Sequence, residues 1–288
     1  MDSRLDIAIR LLEQKKMKEA VKLLEEILMD DPTNSIVLYN LGMCYSELGY
    51  YDKSIKTLKQ SLKYNPDSSN TLTALGYSYI LAGNDEKAEE YLKKAVELDP
   101  NNIYALQNLG GFYAKKEKYK KAIEIFKKAE KVHPRYPRIL YGLALAYQSA
   151  GDLKNADKYF RKLVNRDTKD QFTELAKTGL REIAEAEFKK QGLRPDAVMY
   201  CLAALEKFSK MSKSELIPII AEISTKGESG LDVSNPTHKY KLASLPGEYT
   251  GLQLVCYMYV GFKIIAPEKN IGFDLSKEYK AAKRLFAE

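Results

Sequence analysis

The sequence predicts an all-α protein in which a stack of helical hairpins precedes a second helical region. Three observations support this fold class. Within each unit, apolar residues follow the 3.6-residue period of a helix and not the alternation of a strand. A Leu-Gly pair with a tyrosine four residues after the leucine recurs at a fixed period, which is typical of stacked supersecondary units. Proline recurs at the same 34-residue period, at Pro32, Pro66, Pro100 and Pro134.

The first helix of each unit is predicted to be amphipathic. In the second unit, the positions i, i+3, i+4 and i+7 of one helical stripe hold Leu38, Leu41, Gly42 and Tyr45. Glycine lowers helix propensity by about 1 kcal/mol relative to alanine, so its recurrence at this slot requires a reason. We expect that the paired helix approaches closely at this glycine. The same slot holds Gly76 and Gly110 in the next two units.

The second helix of each unit combines a small residue with a large apolar one. The small slot holds Ala20, Ser54, Ala88, Ala122 and Ala156. The large slot holds Leu24, Leu58, Leu92, Phe126 and Phe160. The proline that follows removes a backbone donor, so the second helix is expected to end before it. Five hairpins are therefore predicted, and the fifth ends at Asp167 and Thr168 where the others have proline.

The pattern over residues 1–168 resembles the tetratricopeptide repeat (TPR) family in its Leu-Gly-x-x-Tyr core, its alanine slot and its final proline. The resemblance implies an α-α superhelix whose first helices line a concave surface, and it implies a protein or peptide partner. Residues 171–191 suit an amphipathic helix that caps the open end of the array. Residues 1–191 are therefore predicted to form one domain.

Residues 192–288 lack the 34-residue period and are predicted to form a helical C-terminal domain of unknown role. The predicted helices span residues 196–211, 216–224, 251–266 and 275–286. Side chains that suit their N-termini are Ser212 with Glu215, Thr250, and Asp274. Glycine and proline residues between positions 228 and 248 predict a long structured loop, with a short strand near Tyr240.

Ten residues form the predicted peptide-binding groove. They lie on a second stripe of the first helices, distinct from the packing stripe, and they combine tyrosines with amide side chains. Aromatic rings provide contact area and amides can grip backbone groups. The alternative is that the tyrosines pack between neighbouring repeats. The predicted groove residues are Tyr39, Asn40, Met43, Thr73, Tyr77, Tyr104, Gln107, Asn108, Arg138 and Tyr141.

The charge distribution does not predict a nucleic-acid partner, although the net charge is +7. Lysine pairs such as Lys127 and Lys128 alternate with glutamates on the second helices, a pattern typical of a solvated face. On the groove stripe, the positive charges of Lys115 and Arg138 face the negative charge of Glu47, so the stripe is not uniformly basic. We therefore expect a protein partner and no nucleic acid.

Membrane insertion is not predicted either. The most apolar helix, residues 251–266, is too short to span a bilayer and contains Lys263, so a buried core helix is expected. The first ten residues carry four charges and lack the apolar run of a secretory signal, which favours a cytoplasmic location.

No cofactor or metal site and no catalytic residues are predicted. The sequence contains no phosphate-binding loop, no HExxH and no strand-linked GxGxxG, and its three cysteines form no CxxC pair. We therefore expect a non-enzymatic scaffold. The alternative is a hydrolase or transferase in the C-terminal domain, for which the array recruits substrate. Its candidate groups are Asp232, His238 and Cys256, because a Cys-His pair with an orienting group is a nucleophilic arrangement.

Overall fold

The computed structural model describes residues 3–166, 168, 170–268, 272 and 274–287. The chain divides into two units, Met1–Leu180 and Arg181–Glu288. Asp167, the predicted end of the fifth hairpin, lies outside the described residues. The sequence places the domain boundary at residue 191, eleven residues after the end of the first unit, and that boundary stays a prediction.

The first unit contains the five predicted hairpins. Each second helix of the first four hairpins ends two residues before the recurring proline, as the missing backbone donor predicts. The predicted all-α repeat fold is therefore confirmed. The helix pairs are α1 (Ser3–Glu13) and α2 (Met17–Asp30), α3 (Ser35–Glu47) and α4 (Tyr51–Tyr64), α5 (Ser69–Leu81) and α6 (Asp85–Leu98), α7 (Ile103–Lys115) and α8 (Tyr119–Val132), and α9 (Pro137–Ser149) and α10 (Leu153–Val164).

A capping residue recurs at the start of three first helices. The side chains of Asn34, Ser68 and Asn102 each accept a hydrogen bond from a backbone N–H three residues later, at 3.1 to 3.2 Å. Such caps satisfy donors that the helix itself leaves unpaired. In the fifth unit the N-cap residue is Tyr136, whose side chain makes no capping hydrogen bond. Pro137 is the first residue of that helix. This recurrence was not predicted from the sequence.

In the second, third and fourth hairpins, the glycine of the Leu-Gly pair lies directly against the large residue of the paired second helix. A Cβ atom added to Gly42 would lie 2.5 Å from Cγ of Leu58. The same atom at Gly110 would lie 2.6 Å from Cε1 of Phe126. These distances are far below van der Waals contact, so only glycine fits without displacement. The close helix approach predicted from the sequence is confirmed.

Helix α11 (Gln171–Lys190) continues the array from an altered register. Gly142 of α9 lies against Phe126, and Gly179 of α11 lies against Phe160 in the same way. The two phenylalanines are 34 residues apart, whereas the two glycines are 37 apart. The first part of α11 therefore takes the place of a sixth first helix after an insertion of three residues, which explains why the strict repeat pattern does not include it.

In its described residues, the second unit consists of the last part of α11, four complete helices and a short β-hairpin. The helix α14 packs against α12 and α13, and α15 packs against α12. Strand β1 contains the predicted strand near Tyr240, and its partner β2 was not predicted. They are antiparallel, with Tyr240 opposite Tyr249. The elements are α12 (Pro195–Phe208), α13 (Lys213–Glu228), β1 (Lys239–Lys241), β2 (Glu248–Thr250), α14 (Gly251–Ile265) and α15 (Ser276–Ala287).

Side-chain caps and one carboxylate fix the second unit's connections. The capping box of Ser212 and Glu215 is present at the start of α13, and Thr250 caps α14. The carboxylate of Glu222 accepts hydrogen bonds from the backbone N–H groups of Ala243 and Ser244, at 2.7 and 2.8 Å. The long loop between α13 and β2 is thereby attached to α13. Among the described residues, no helix is both long and apolar enough to cross a membrane.

Candidate protein-binding groove

Two adjoining cavities lie along the first helices of the second to fifth hairpins. Each has a volume of about 300 Å³. They share Tyr77, Asn108 and Arg138, so side chains from α5, α7 and α9 form part of both. We call the combined surface the first-helix groove. Helix α3 contributes Tyr39, Met43 and Glu47 to the first cavity.

Nine of the ten predicted groove residues line these cavities. The exception is Asn40, whose Nδ2 donates a hydrogen bond to the backbone carbonyl of Ile36 in its own helix, at 2.9 Å. The first cavity includes Tyr39, Met43, Thr73, Tyr77, Tyr104, Asn108 and Arg138. The second cavity adds Gln107 and Tyr141.

The tyrosines of the groove differ in exposure. Tyr104 is 59% exposed, whereas Tyr39 and Tyr77 are half-buried. Burial raises the pKa of Tyr39, with a smaller contribution from Tyr104. Burial also raises the pKa of Tyr77, and the nearby Glu47 carboxylate adds to that shift. These phenols are therefore protonated at neutral pH and can donate hydrogen bonds.

Besides Asn40, three of the predicted groove residues have structural contacts, and one of them is Arg138, whose guanidinium carbon lies 6.0 Å from the centre of the Phe172 ring. Thr73 is buried, and its hydroxyl donates to the backbone carbonyl of Ser69 at 2.8 Å. The ring of Tyr141 lies 6.1 Å from the ring of Phe160 and 5.8 Å from that of Phe172. The alternative of packing between helices therefore describes Tyr141 better than it describes Tyr104.

Three large apolar residues that line the second cavity were not assigned to the groove from the sequence. Ile80, Phe112 and Phe126 contribute to the second cavity. Phe126 was assigned to packing because it occupies the large apolar slot of a second helix. It reaches the groove because Gly110 and Gly142, on either side of it, have no side chains. The glycine pattern is the sequence signal that would have found it.

The candidate catalytic groups of the second unit have other partners. One carboxylate oxygen of Asp232 accepts hydrogen bonds from the backbone N–H groups of Ser234 and Asn235, so Asp232 stabilises its own turn. The ring of His238 is stacked on Tyr240, with 4.6 Å between centroids. Cys256 is fully buried. Within the described part of the chain, no hydrogen bond joins His238 to Cys256, and no group of three potential metal ligands is present.

We expect Cys256 to be unreactive towards iodoacetamide in the native chain at neutral pH. The pKa of Cys256 is raised far above its ordinary value. The largest cause is a hydrogen bond with the thiol of Cys201, and the second is burial. Burial raises the pKa of Cys44 to about 11, so this thiol is the internal reference. Mass spectrometry of the labelled sites should show Cys256 reacting no faster than Cys44, because the thiolate is the nucleophile. Fast labelling that is lost in His238→Ala would instead favour the enzyme alternative.

The repeat unit matches a known family, and its fold recurs in solved structures. Residues 7–180 match the family described as tetratricopeptide repeat protein 21 N-terminal ARM repeat. A comparison with curated proteins gives no match. TTC0263, a thermophilic TPR protein of Thermus thermophilus, is 23% identical with a TM-score of 0.55, and the alignment covers 62% of this chain and 97% of that protein.

Two further solved structures have lower structural similarity. The MamA protein is 26% identical with a TM-score of 0.47, over 56% of this chain and 88% of MamA. YrrB, described as a TPR protein with an unusual peptide-binding site, is 18% identical with a TM-score of 0.47, over 61% of this chain and 90% of YrrB. The family match spans more than half of the 288 residues. The chain therefore belongs to the tetratricopeptide repeat protein 21 N-terminal ARM repeat family, and the TPR resemblance of its repeats is confirmed.

Proposed function

We propose that the repeat unit is a non-enzymatic scaffold that binds a segment of a partner protein in the first-helix groove. The observation that carries this proposal is the pair of adjoining cavities, which are lined by side chains of four successive first helices. A surface shared by consecutive repeats suits an elongated ligand, because stacking places equivalent positions in line.

The chemistry of the groove supports a protein ligand. Tyr39, Tyr77 and Tyr104 offer aromatic contact area together with hydroxyl groups, while Gln107 and Asn108 offer amides. Large apolar side chains also remain accessible on the same helices. They are Ile36, Tyr104 and Leu145, with 58%, 59% and 40% of their surface exposed. Such exposure on one face is typical of an interaction surface.

We expect Tyr77→Ala to weaken binding about thirtyfold, which corresponds to about 2 kcal/mol. Tyr77 lines both cavities, so its removal affects the centre of the proposed interface. The free energy of unfolding should remain nearly unchanged, because the side chain is only half-buried. The measurement is the affinity of the full chain for peptides selected from a displayed random library, together with urea denaturation of the same variant.

Tyr64→Ala is the matched control, since Tyr64 is an exposed tyrosine at the end of α4 and lines neither cavity. Its affinity for the selected peptides should equal that of the unmodified chain. Equal losses of affinity in both variants would contradict the groove. A loss of about 2 to 4 kcal/mol of unfolding free energy in Tyr77→Ala would instead assign this tyrosine to packing.

A further inference from the structure

Charges of opposite sign occupy the two halves of the groove stripe. The acidic side chains Asp6, Glu13 and Glu47 belong to the first two repeats, and the basic side chains Lys115 and Arg138 belong to the fourth and fifth. In the second repeat the stripe consists of positions 36, 39, 40, 43 and 47, and the five equivalent positions of the third repeat, 34 residues later, carry no charge. They are Asn70, Thr73, Ala74, Tyr77 and Leu81. The stripe therefore changes from acidic to neutral to basic along the array.

The groove charges differ from those of the second helices in how they are paired. Second-helix charges neutralise one another, as in the ion pairs of Lys93 with Glu89 and Lys128 with Glu124 at 2.7 and 2.9 Å. Glu47, Lys115 and Arg138 are exposed, and no ion pair with another described residue involves them. The ion pairs that neutralise charge on the second helices are therefore missing from the charged residues of the groove.

One buried acceptor in the groove also lacks a protein donor. The side-chain Oε1 of Gln107 is buried, and no donor among the described residues reaches it. Gln107 lines the second cavity with Lys115 and Arg138. A buried polar atom is unfavourable unless it is hydrogen-bonded, so a ligand that donates an N–H group would be stabilised here. An extended backbone has such N–H groups free, whereas those of a helix interior are already used within the helix.

We propose that the groove selects an extended partner segment with segregated charge: basic residues towards Glu47, an apolar centre, and acidic residues towards Lys115 and Arg138. This inference rests on the proposed function and specifies the chemistry of its partner. Complementary charges at both ends fix the direction in which the segment lies, because the reversed direction places like charges together. The Oε1 of Gln107 accepts a backbone N–H near the acidic end.

The test is a selection of displayed random 12-residue peptides on the full chain and on a charge-reversed variant. That variant combines Glu47→Lys, Lys115→Glu and Arg138→Glu, all at exposed positions. The unmodified chain should select peptides whose acidic and basic residues lie at opposite ends in one order, and the variant should select the opposite order. Exchange of the two charged ends in a synthetic selected peptide should weaken binding at least tenfold, and added salt should reduce that difference.

Lys120→Glu is the control for net charge. The reversed variant lowers the net charge by two, because Glu47→Lys raises it by two while Lys115→Glu and Arg138→Glu each lower it by two. Lys120→Glu, at an exposed position of α8, also lowers the net charge by two. This control should select the same peptides as the unmodified chain. Peptides without charge segregation that still require Tyr77 would overturn the inference while supporting the groove. Peptides that bind equally well to Tyr77→Ala would contradict the proposed function itself.

Discussion

Gly76→Leu is expected to lower the free energy of unfolding by about 3 kcal/mol, because the space that the new side chain needs is occupied. A Cβ atom at this position would lie 2.5 Å from Cγ and 2.7 Å from Cδ2 of Leu92, and 3.3 Å from its backbone nitrogen. Leu92 is fully buried, so it is packed on all sides. Helices α5 and α6 must therefore separate, which weakens the centre of the array. Urea denaturation followed by circular dichroism measures the change.

Gly111→Leu is the matched control for Gly76→Leu. Gly111 also lies inside a first helix, but apart from its chain neighbours and its own helix backbone no atom of the described residues lies within 4 Å of an added Cβ. Leucine favours a helix by roughly 0.8 kcal/mol more than glycine does, so this variant should be as stable as the unmodified chain or slightly more stable. Lys94→Leu, on the exposed face of α6, should change stability by less than about 0.5 kcal/mol. Similar small effects at all three positions would show that α5 and α6 do not approach closely at Gly76.

The repeat fold could be predicted because several independent signals share one period. Proline, the Leu-Gly pair and the alanine slot each mark the same boundaries, so local and tertiary preferences agree. The caps at Asn34, Ser68 and Asn102 have the same period, but they were not predicted from the sequence. The register of α11 could not be read in this way, because an insertion of three residues moves Gly179 out of the 34-residue frame while its packing on Phe160 is retained.

The sequence predicts where the candidate groove lies but not its finer chemistry. Helical spacing alone placed Tyr39, Tyr77 and Tyr104 on one stripe, and these residues line a common cavity. The spacing could not show that the amide of Asn40 bonds within its own helix, or that Gln107 has an unpaired oxygen. Both depend on side-chain conformation, which neighbours in space determine. Strand β2 was missed for a related reason, because a three-residue strand is defined by its pairing partner and not by its own pattern.

Phe160→Ala is expected to have the largest effect, a loss of about 4 kcal/mol in the free energy of unfolding. The ring is fully buried, lies against Gly179 of α11 and is 6.1 Å from the ring of Tyr141. Its removal leaves a cavity between the fifth hairpin and α11, and the glycine opposite has no side chain with which to fill it. Hydrogen exchange should therefore accelerate first in α10 and in the first part of α11.

Two further substitutions separate packing from a general effect of losing a phenylalanine. Phe286→Ala makes the same chemical change at an exposed position and should cost less than about 0.5 kcal/mol. Phe160→Leu restores the residue type that three earlier repeats have at the same slot, so its cost should stay below about 1.5 kcal/mol. If Phe160→Ala were as mild as Phe286→Ala, α11 would not depend on this contact, and its place as a sixth first helix would be wrong. If Phe160→Ala causes a large loss of unfolding free energy and Phe160→Leu restores most of it, burial of this one side chain holds α11 against the fifth hairpin.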